Sequence, residues 1–429
     1  MAFAHALGFA LLIWSGCSEA QRYQATPETY LQDLRSLAPG DTLQLSPGTY
    51  QDGLTVHDLQ GHPDQPIIIT GPENGAAATL LAQRGTNTIS LADAAYIVIR
   101  NLTLNGRNLP VDGVKAEGYS RFAHHIILEN LHIIGHGNNQ QTVGISTKCP
   151  SWGWIIRGNV IEAAGTGMYL GNSDGRAPFW AGLIEGNRVV DSIGYDLQIK
   201  HQNPRTLVQD ASTAPAVTII RNNLFGKSHN ASFGGMARPN VLLGHWPLLG
   251  PGTDDRYLVY GNLFVDNPAE ALFQAEGRLA LYNNVFINRQ GDGIHIQPHN
   301  DIPRDMDIFY NTVLARDAGI VIRQKPSFDE RFAQRVEANL ISAARPLEGG
   351  EDRHNVMLRY QETMDKLYPA SRLSSALLRA SKTTEGVPRT TWGRFAAYPE
   401  WNSARADPSV PGAAGADQND GFAAYLSGR

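Results

Sequence analysis

The octapeptide YDLQIKHQ places Asp196, Gln198 and Lys200 on alternate positions, followed by His201. On a β-strand, alternate side chains share one face, so a carboxylate, an amide and an amine would stand together there. A lysine in such company serves as a base once desolvation or neighbouring positive charge lowers its pKa. Further along, GIHIQPHN sets His295, Gln297 and His299 on alternate positions, and EALFQAEG does the same for Gln274 and Glu276. Two imidazoles beside a carboxylate suit proton transfer or metal binding. Tyr169, close to Asn172 and Asp174, offers an aromatic face for a sugar ring. Arg205 follows in the loop after Lys200, and Arg238 lies in a second long loop.

What positions these residues is a repeat. Asparagine recurs at Asn101, Asn130, Asn159, Asn187, Asn223, Asn262, Asn284, Asn311 and Asn339, each after a short β-rich run. The steps are 29, 29, 28, 36, 39, 22, 27 and 28 residues. A period in this range means stacked supersecondary units. Alternating Val, Ile, Tyr and Phe broken by Gly and Asn makes each unit a set of short strands. An asparagine at a fixed place tolerates a left-handed bend, and its amide can bond the next coil. The expected fold is all-β, a right-handed parallel β-helix of ten or more coils.

The coil register names the outward side chains. Besides those above, they are Lys115, Glu117, Ser146, Lys148, Arg323 and Lys325. Adjacent coils lie ~4.8 Å apart, so the special groups span roughly 20 Å, a length suited to a polymer. The long steps mark two insertions, around residues 201–216 and 227–256, and insertions in solenoids emerge on one face, often the binding face.

The expected organisation is an export signal over residues 1–17, a β-helix over 26–345 and a C-terminal cap and wrapping segment over 346–429. A helix over 26–36, N-capped by Thr26, should close the first coil. The apolar run from Ala6 to Trp14 is too short to span a bilayer. Small residues before Cys17 resemble a bacterial lipoprotein cleavage site, although Trp14 replaces the usual aliphatic residue and the leader lacks Lys and Arg. Export from a bacterial cell is expected, to the periplasm, the outer membrane as a lipoprotein, or the exterior. Cys149 alone then remains in the folded body, so no disulfide framework is expected. With 36 basic and 41 acidic residues there is no basic footprint for nucleic acid. No apolar run is long enough for a membrane span. A monomer is expected.

The opening LAPGDTLQLSPGTYQDGLTV and QPIIITG resemble the first coils of the alginate-lyase and chondroitin-B-lyase family of secreted polysaccharide lyases. YDLQIKHQ, followed by VTIIRNNLF, is similar to that family's catalytic strand. The resemblance implies β-elimination on a uronate-containing polymer, Lys200 as the base and Asp196 as a calcium ligand. Gln198 intervenes where the family's carboxylate spacing is wider. The family's Arg-His-Gly string is missing, which leaves Arg238 as its nearest substitute. C5-epimerisation shares the first step, proton abstraction beside the carboxylate. Two other classes stay open. A β-helical glycoside hydrolase needs paired carboxylates, whereas Asp196 and Glu276 stand about three coils apart. A non-catalytic glycan-binding or envelope-structural β-helix needs no such chemistry.

Overall fold

The computed structural model describes residues 20–205, 208, 210–323, 331–367, 386–402 and 407–412. Period-two alternation dictates the local structure: Thr42–Leu45, Leu54–His57 and Ala78–Leu81 each bury every second residue. A single strand of this kind cannot bury its apolar face alone, so it stacks on its equivalent in the next coil. Three parallel sheets result, beginning with Arg22–Ala25, Gly48–Tyr50 and Leu54–His57. The chain is a right-handed parallel β-helix. Its interior is a file of stacked apolar side chains, such as Phe225, Phe264 and Phe286, whose ring centroids lie 5.5 and 4.4 Å apart.

The asparagine repeat proves to be two files of residues. One is a bend in the left-handed conformation, occupied in turn by Asn101, Asn130, Gly158, Gly186, Asn222, Gly261, Asn283 and Tyr310, with φ from +52° to +65°. The next residue in each coil faces inward. There Asn159, Asn187, Asn223, Asn262, Asn284, Asn311 and Asn339 form a buried ladder. Asn223 shows the pattern: its carboxamide oxygen accepts the backbone N–H and the Nδ2–H of Asn187, both at 2.9 Å. Its own Nδ2 donates to Ile184 O and to Asn262 Oδ1, also at 2.9 Å. Asn101 and Asn130 therefore stand one residue off the ladder, at the bend, because Leu102 and Leu131 hold the inward position. Asn355 extends the ladder beyond Asn339.

Both ends depart from expectation. The helix is Tyr30–Leu34, N-capped by Thr29, and Thr26 instead bonds Glu28 at 2.6 Å. Tyr30 and Leu34 enter the core, and Arg22–Ala25 already forms the edge of the first sheet. At the other end Arg345–Glu348, Glu351–Arg353 and Val356–Leu358 add one strand to each sheet, so coils run on to Leu358. Arg345–Glu348 and Glu351–Arg353 are charged and Val356–Leu358 is largely exposed, so the inward-outward alternation fades there. Helices Tyr360–Leu367 and Arg389–Phe395 follow. Phe395, Trp392 and Trp401 pack on Tyr282, Phe309 and Tyr310 outside the first sheet. Residues 1–17, with Cys17, and Lys325 lie outside the described residues. Cys149 is buried. Among the described residues no helix is long and apolar enough to cross a membrane.

Candidate functional site

The third sheet carries the site. Its register aligns Lys115, Ser146, Tyr169 and Gln198 in one outward file, continued by Leu242, Gln274 and His295. A cleft of about 810 Å³ opens over this file. Six coil steps separate Lys115 from His295, roughly 29 Å at ~4.8 Å each. One wall is the turn over residues 139–143; another is residues 237–239, from the insertion in the 39-residue step. That insertion projects beside the cleft, where Gln140 Nε2 donates to Met236 O at 3.1 Å.

Lys148 and Lys200 flank Tyr169 in the cleft. Each opens the turn that follows a third-sheet strand, with the N–H bonded to the preceding coil at Ala116 O and Leu170 O. Gly171 stands in the coil beside Lys200. A Cβ there would lie 3.4 Å from that of Lys200, and its φ is +88°, a conformation that suits glycine. The missing side chain leaves room above Tyr169 for both amines. Lys148 Nζ sits 3.5 Å from the Tyr169 ring centroid and Lys200 Nζ 6.0 Å. Burial, with the Lys115 and Lys200 ammoniums, pushes Lys148 down to about 8 against the pull of Asp112. Burial also lowers Lys200, opposed by Glu276. Burial raises the Tyr169 phenol to about 12, so it keeps its proton at neutral pH. The expected sugar-stacking face of Tyr169 is thus partly occupied by an ammonium.

Other expected residues fall in different places. Asp196 is fully buried instead of outward. Burial raises its pKa while the ammonium of the equally buried Lys227 opposes that rise. Asp196 directly precedes the strand Leu197–Ile199, level with Gly167, where a Cβ would meet Val189 Cγ1 of the core, so alternation within the strand does not set its direction. Calcium takes about six to eight oxygens. Asp196 is enclosed beside an ammonium, and among the described residues no three His, Cys, Asp or Glu side chains are placed to hold a metal ion. These residues do not fit calcium. Glu276 is buried, and its Oε2 accepts the backbone N–H groups of His299, Asn300 and Asp301 at 2.7–3.2 Å. It thereby shapes the loop that brings His299 to the cleft. Arg205 is buried in an ion pair with Asp255 at 2.7 Å and tethers the first insertion. His295 is buried, its Nε2 2.9 Å from Asp292. His201 packs near His245, ring centroids 5.5 Å apart, outside the cleft lining. Gln198, Lys200, Arg238, Gln297 and His299 do line it.

Among the lining residues that escaped the sequence reading are Asp112, Tyr195 and Glu270. All three stand just before third-sheet strands, where alternation gives no direction. Asp112 is bonded to Val143 N and Ser146 Oγ at 2.9 Å and lies 3.7 Å from Lys115 Nζ. The Arg238 guanidinium lies over the Tyr195 ring at 5.8 Å and donates to Gly235 O and Ala237 O.

No family model and no curated protein matches the chain. Among solved structures, an alginate lyase from Paenibacillus sp. aligns over 79% of this chain and 98% of its own, at 15% identity and a TM-score of 0.46. A GH136 lacto-N-biosidase from Eubacterium ramulus aligns over 79% and 68%, at 12% identity and a TM-score of 0.50. Pectate lyase Pel9A aligns over 80% of each chain, at 13% identity and a TM-score of 0.43. At such identities the likeness is one of fold.

Proposed function

We propose that this exported β-helix protein binds an acidic polysaccharide in the third-sheet cleft and acts on a uronate by removing the proton beside its carboxylate. The observation that carries this reading is the pair of desolvated lysines, Lys148 and Lys200, on either side of Tyr169 in a long groove. Amines with lowered pKa divide naturally between two tasks. Lys200, as the neutral amine, takes the proton from the carbon next to the carboxylate. Lys148, as the ammonium, neutralises that carboxylate and stabilises the enolate-like charge that develops. In elimination the electron pair forms the ring double bond as the bond to the glycosidic oxygen breaks. The protonated Tyr169 hydroxyl, or Arg238, supplies the proton to that oxygen. Return of the proton from the opposite face would give epimerisation instead.

The hydrolase reading needs two available carboxylates. Asp196 is enclosed, Glu276 holds three backbone N–H groups, and Asp112 is engaged by Val143, Ser146 and Lys115, which leaves Glu270 alone among the described carboxylates that line the cleft. The elimination reading uses groups the cleft presents freely.

Incubation with alginate, pectate and chondroitin should release ultraviolet-absorbing unsaturated ends from at least one polymer, or exchange solvent deuterium into it. Lys200→Ala should remove turnover while polymer still binds. Lys148→Ala should raise KM more than it lowers kcat. Binding of the polymers with neither unsaturation nor exchange would leave the protein a glycan-binding module.

A further inference from the structure

The outward file continues past the lysines toward the first coils, where its chemistry changes sign. Lys115 pairs in register with Ser90, and Ser90 with Thr55. Ser90 Oγ and Asn87 Nδ2 both donate to Glu117 Oε1 at 2.8 Å, and His57 Nε2 lies 2.8 Å from Ser90 Oγ. Asn87 also belongs to the cleft lining and accepts the Asp112 N–H at 3.0 Å, so this network is continuous with the cleft. Tyr119 stands at its edge, 72% exposed, held edge-on to His57 at 6.2 Å and 80°. Most of its side chain is therefore open to solvent. Tyr119 and Tyr169 belong to coils two steps apart, roughly 10 Å along the axis.

An exposed aromatic side chain beside a fixed carboxylate, amide and imidazole recognises hydroxyl-rich pyranoses by stacking and by hydrogen bonds from their hydroxyls. The charge at this end opposes a uronate. Lys115 is already paired with Asp112, and among the described residues no ion pair engages Glu117, whereas Lys148 of the next coil and Lys200 two coils beyond it both direct their Nζ to Tyr169. We propose that His57, Ser90, Glu117 and Tyr119 form a subsite for an uncharged sugar. The polymer then carries a neutral residue on this side of the uronate held by the lysine pair. The proposal rests on the reading of the cleft as an acidic-polysaccharide site.

The test is calorimetric binding to two hexasaccharides. One is a hyaluronan hexamer, in which uronates alternate with N-acetylglucosamine; the other is a mannuronate hexamer, a uronate at every position. Tyr119→Ala should weaken the alternating hexamer about tenfold and leave the all-uronate one unchanged. Glu117→Gln should tighten the all-uronate hexamer about fivefold by removing like-charge repulsion. If Lys148→Ala abolishes binding of both while Tyr119→Ala and Glu117→Gln change neither, the neutral-sugar subsite is refuted and the cleft reading stands. If the wild-type protein binds neither hexamer, the neutral-sugar subsite is refuted, and the cleft reading is decided separately by the incubations with alginate, pectate and chondroitin.

Discussion

Replacing Lys148 by arginine should abolish a pH dependence that the wild-type cleft must show. With its pKa pushed down to about 8, roughly nine-tenths of Lys148 is charged at pH 7 and roughly one-tenth at pH 9. If the ammonium is what meets the uronate, affinity for an anionic oligosaccharide falls about tenfold over that interval, or about 1.4 kcal/mol. Arginine stays charged throughout, so Lys148→Arg should hold its affinity up to pH 9 apart from the contribution of Lys200, whose pKa is also lowered. The stability sign runs the other way. A lysine lowered from 10.5 to about 8 disfavours the folded state below pH 8, and that penalty disappears as pH rises toward 10.5. Lys148→Met should therefore stabilise the protein at neutral pH by about 1–3 kcal/mol while weakening polymer binding. Titration calorimetry between pH 6.5 and 9.5, in two buffers of different ionisation enthalpy, reads both the affinity and the proton taken up. A flat wild-type profile, or an equally steep fall in Lys148→Arg, would refute the assignment of Lys148 as the carboxylate-binding cation.

The two asparagine files should separate in denaturant titrations. Asn223→Ala strips the partners from Asn187 N–H and Ile184 O inside the coil and should cost about 3–5 kcal/mol, whereas Asn101→Ala, at the bend, should cost about 1 kcal/mol. Arg205→Met leaves the Asp255 carboxylate buried without its ion-pair partner. It should cost about 3–5 kcal/mol in thermal or chemical unfolding, with oligosaccharide affinity little changed because Arg205 is not part of the cleft lining. Cys149, buried and with its thiol raised to about 11, should resist a thiol reagent at pH 8 until the protein unfolds.

Much of the architecture was legible because a solenoid repeats its instructions. Alternation named the outward file from Lys115 through Tyr169 and Gln198 to His295, and the register confirms it. The asparagine repeat was read as one position because bend and ladder are adjacent residues and asparagine suits both. Only coil-to-coil bonding shows that Asn130 turns the chain while Asn159 ties it. Direction, however, is not exposure. Asp196, one residue before its strand, is enclosed where alternation expected it outward. Glu276 lies in an outward file, yet its Oε2 serves the backbone of residues 299–301.

The two breaks in the repeat, which looked equivalent in sequence, have different consequences. The first insertion is anchored away from the cleft by Arg205 on Asp255, close to the Trp180 ring. The second passes from Lys227, whose buried ammonium bonds Arg238 O and Pro239 O at 3.0 and 3.2 Å, to the wall that presents Arg238. Asn267 Nδ2 adds a third tie to Arg238 O at 2.9 Å. A wall fixed by buried donors is pre-organised, and pre-organisation is what lets a groove hold a flexible polymer without paying again to order its own loop. Insertion length marks where a solenoid can acquire function, but the buried groups beneath the insertion decide whether it builds a site or a brace.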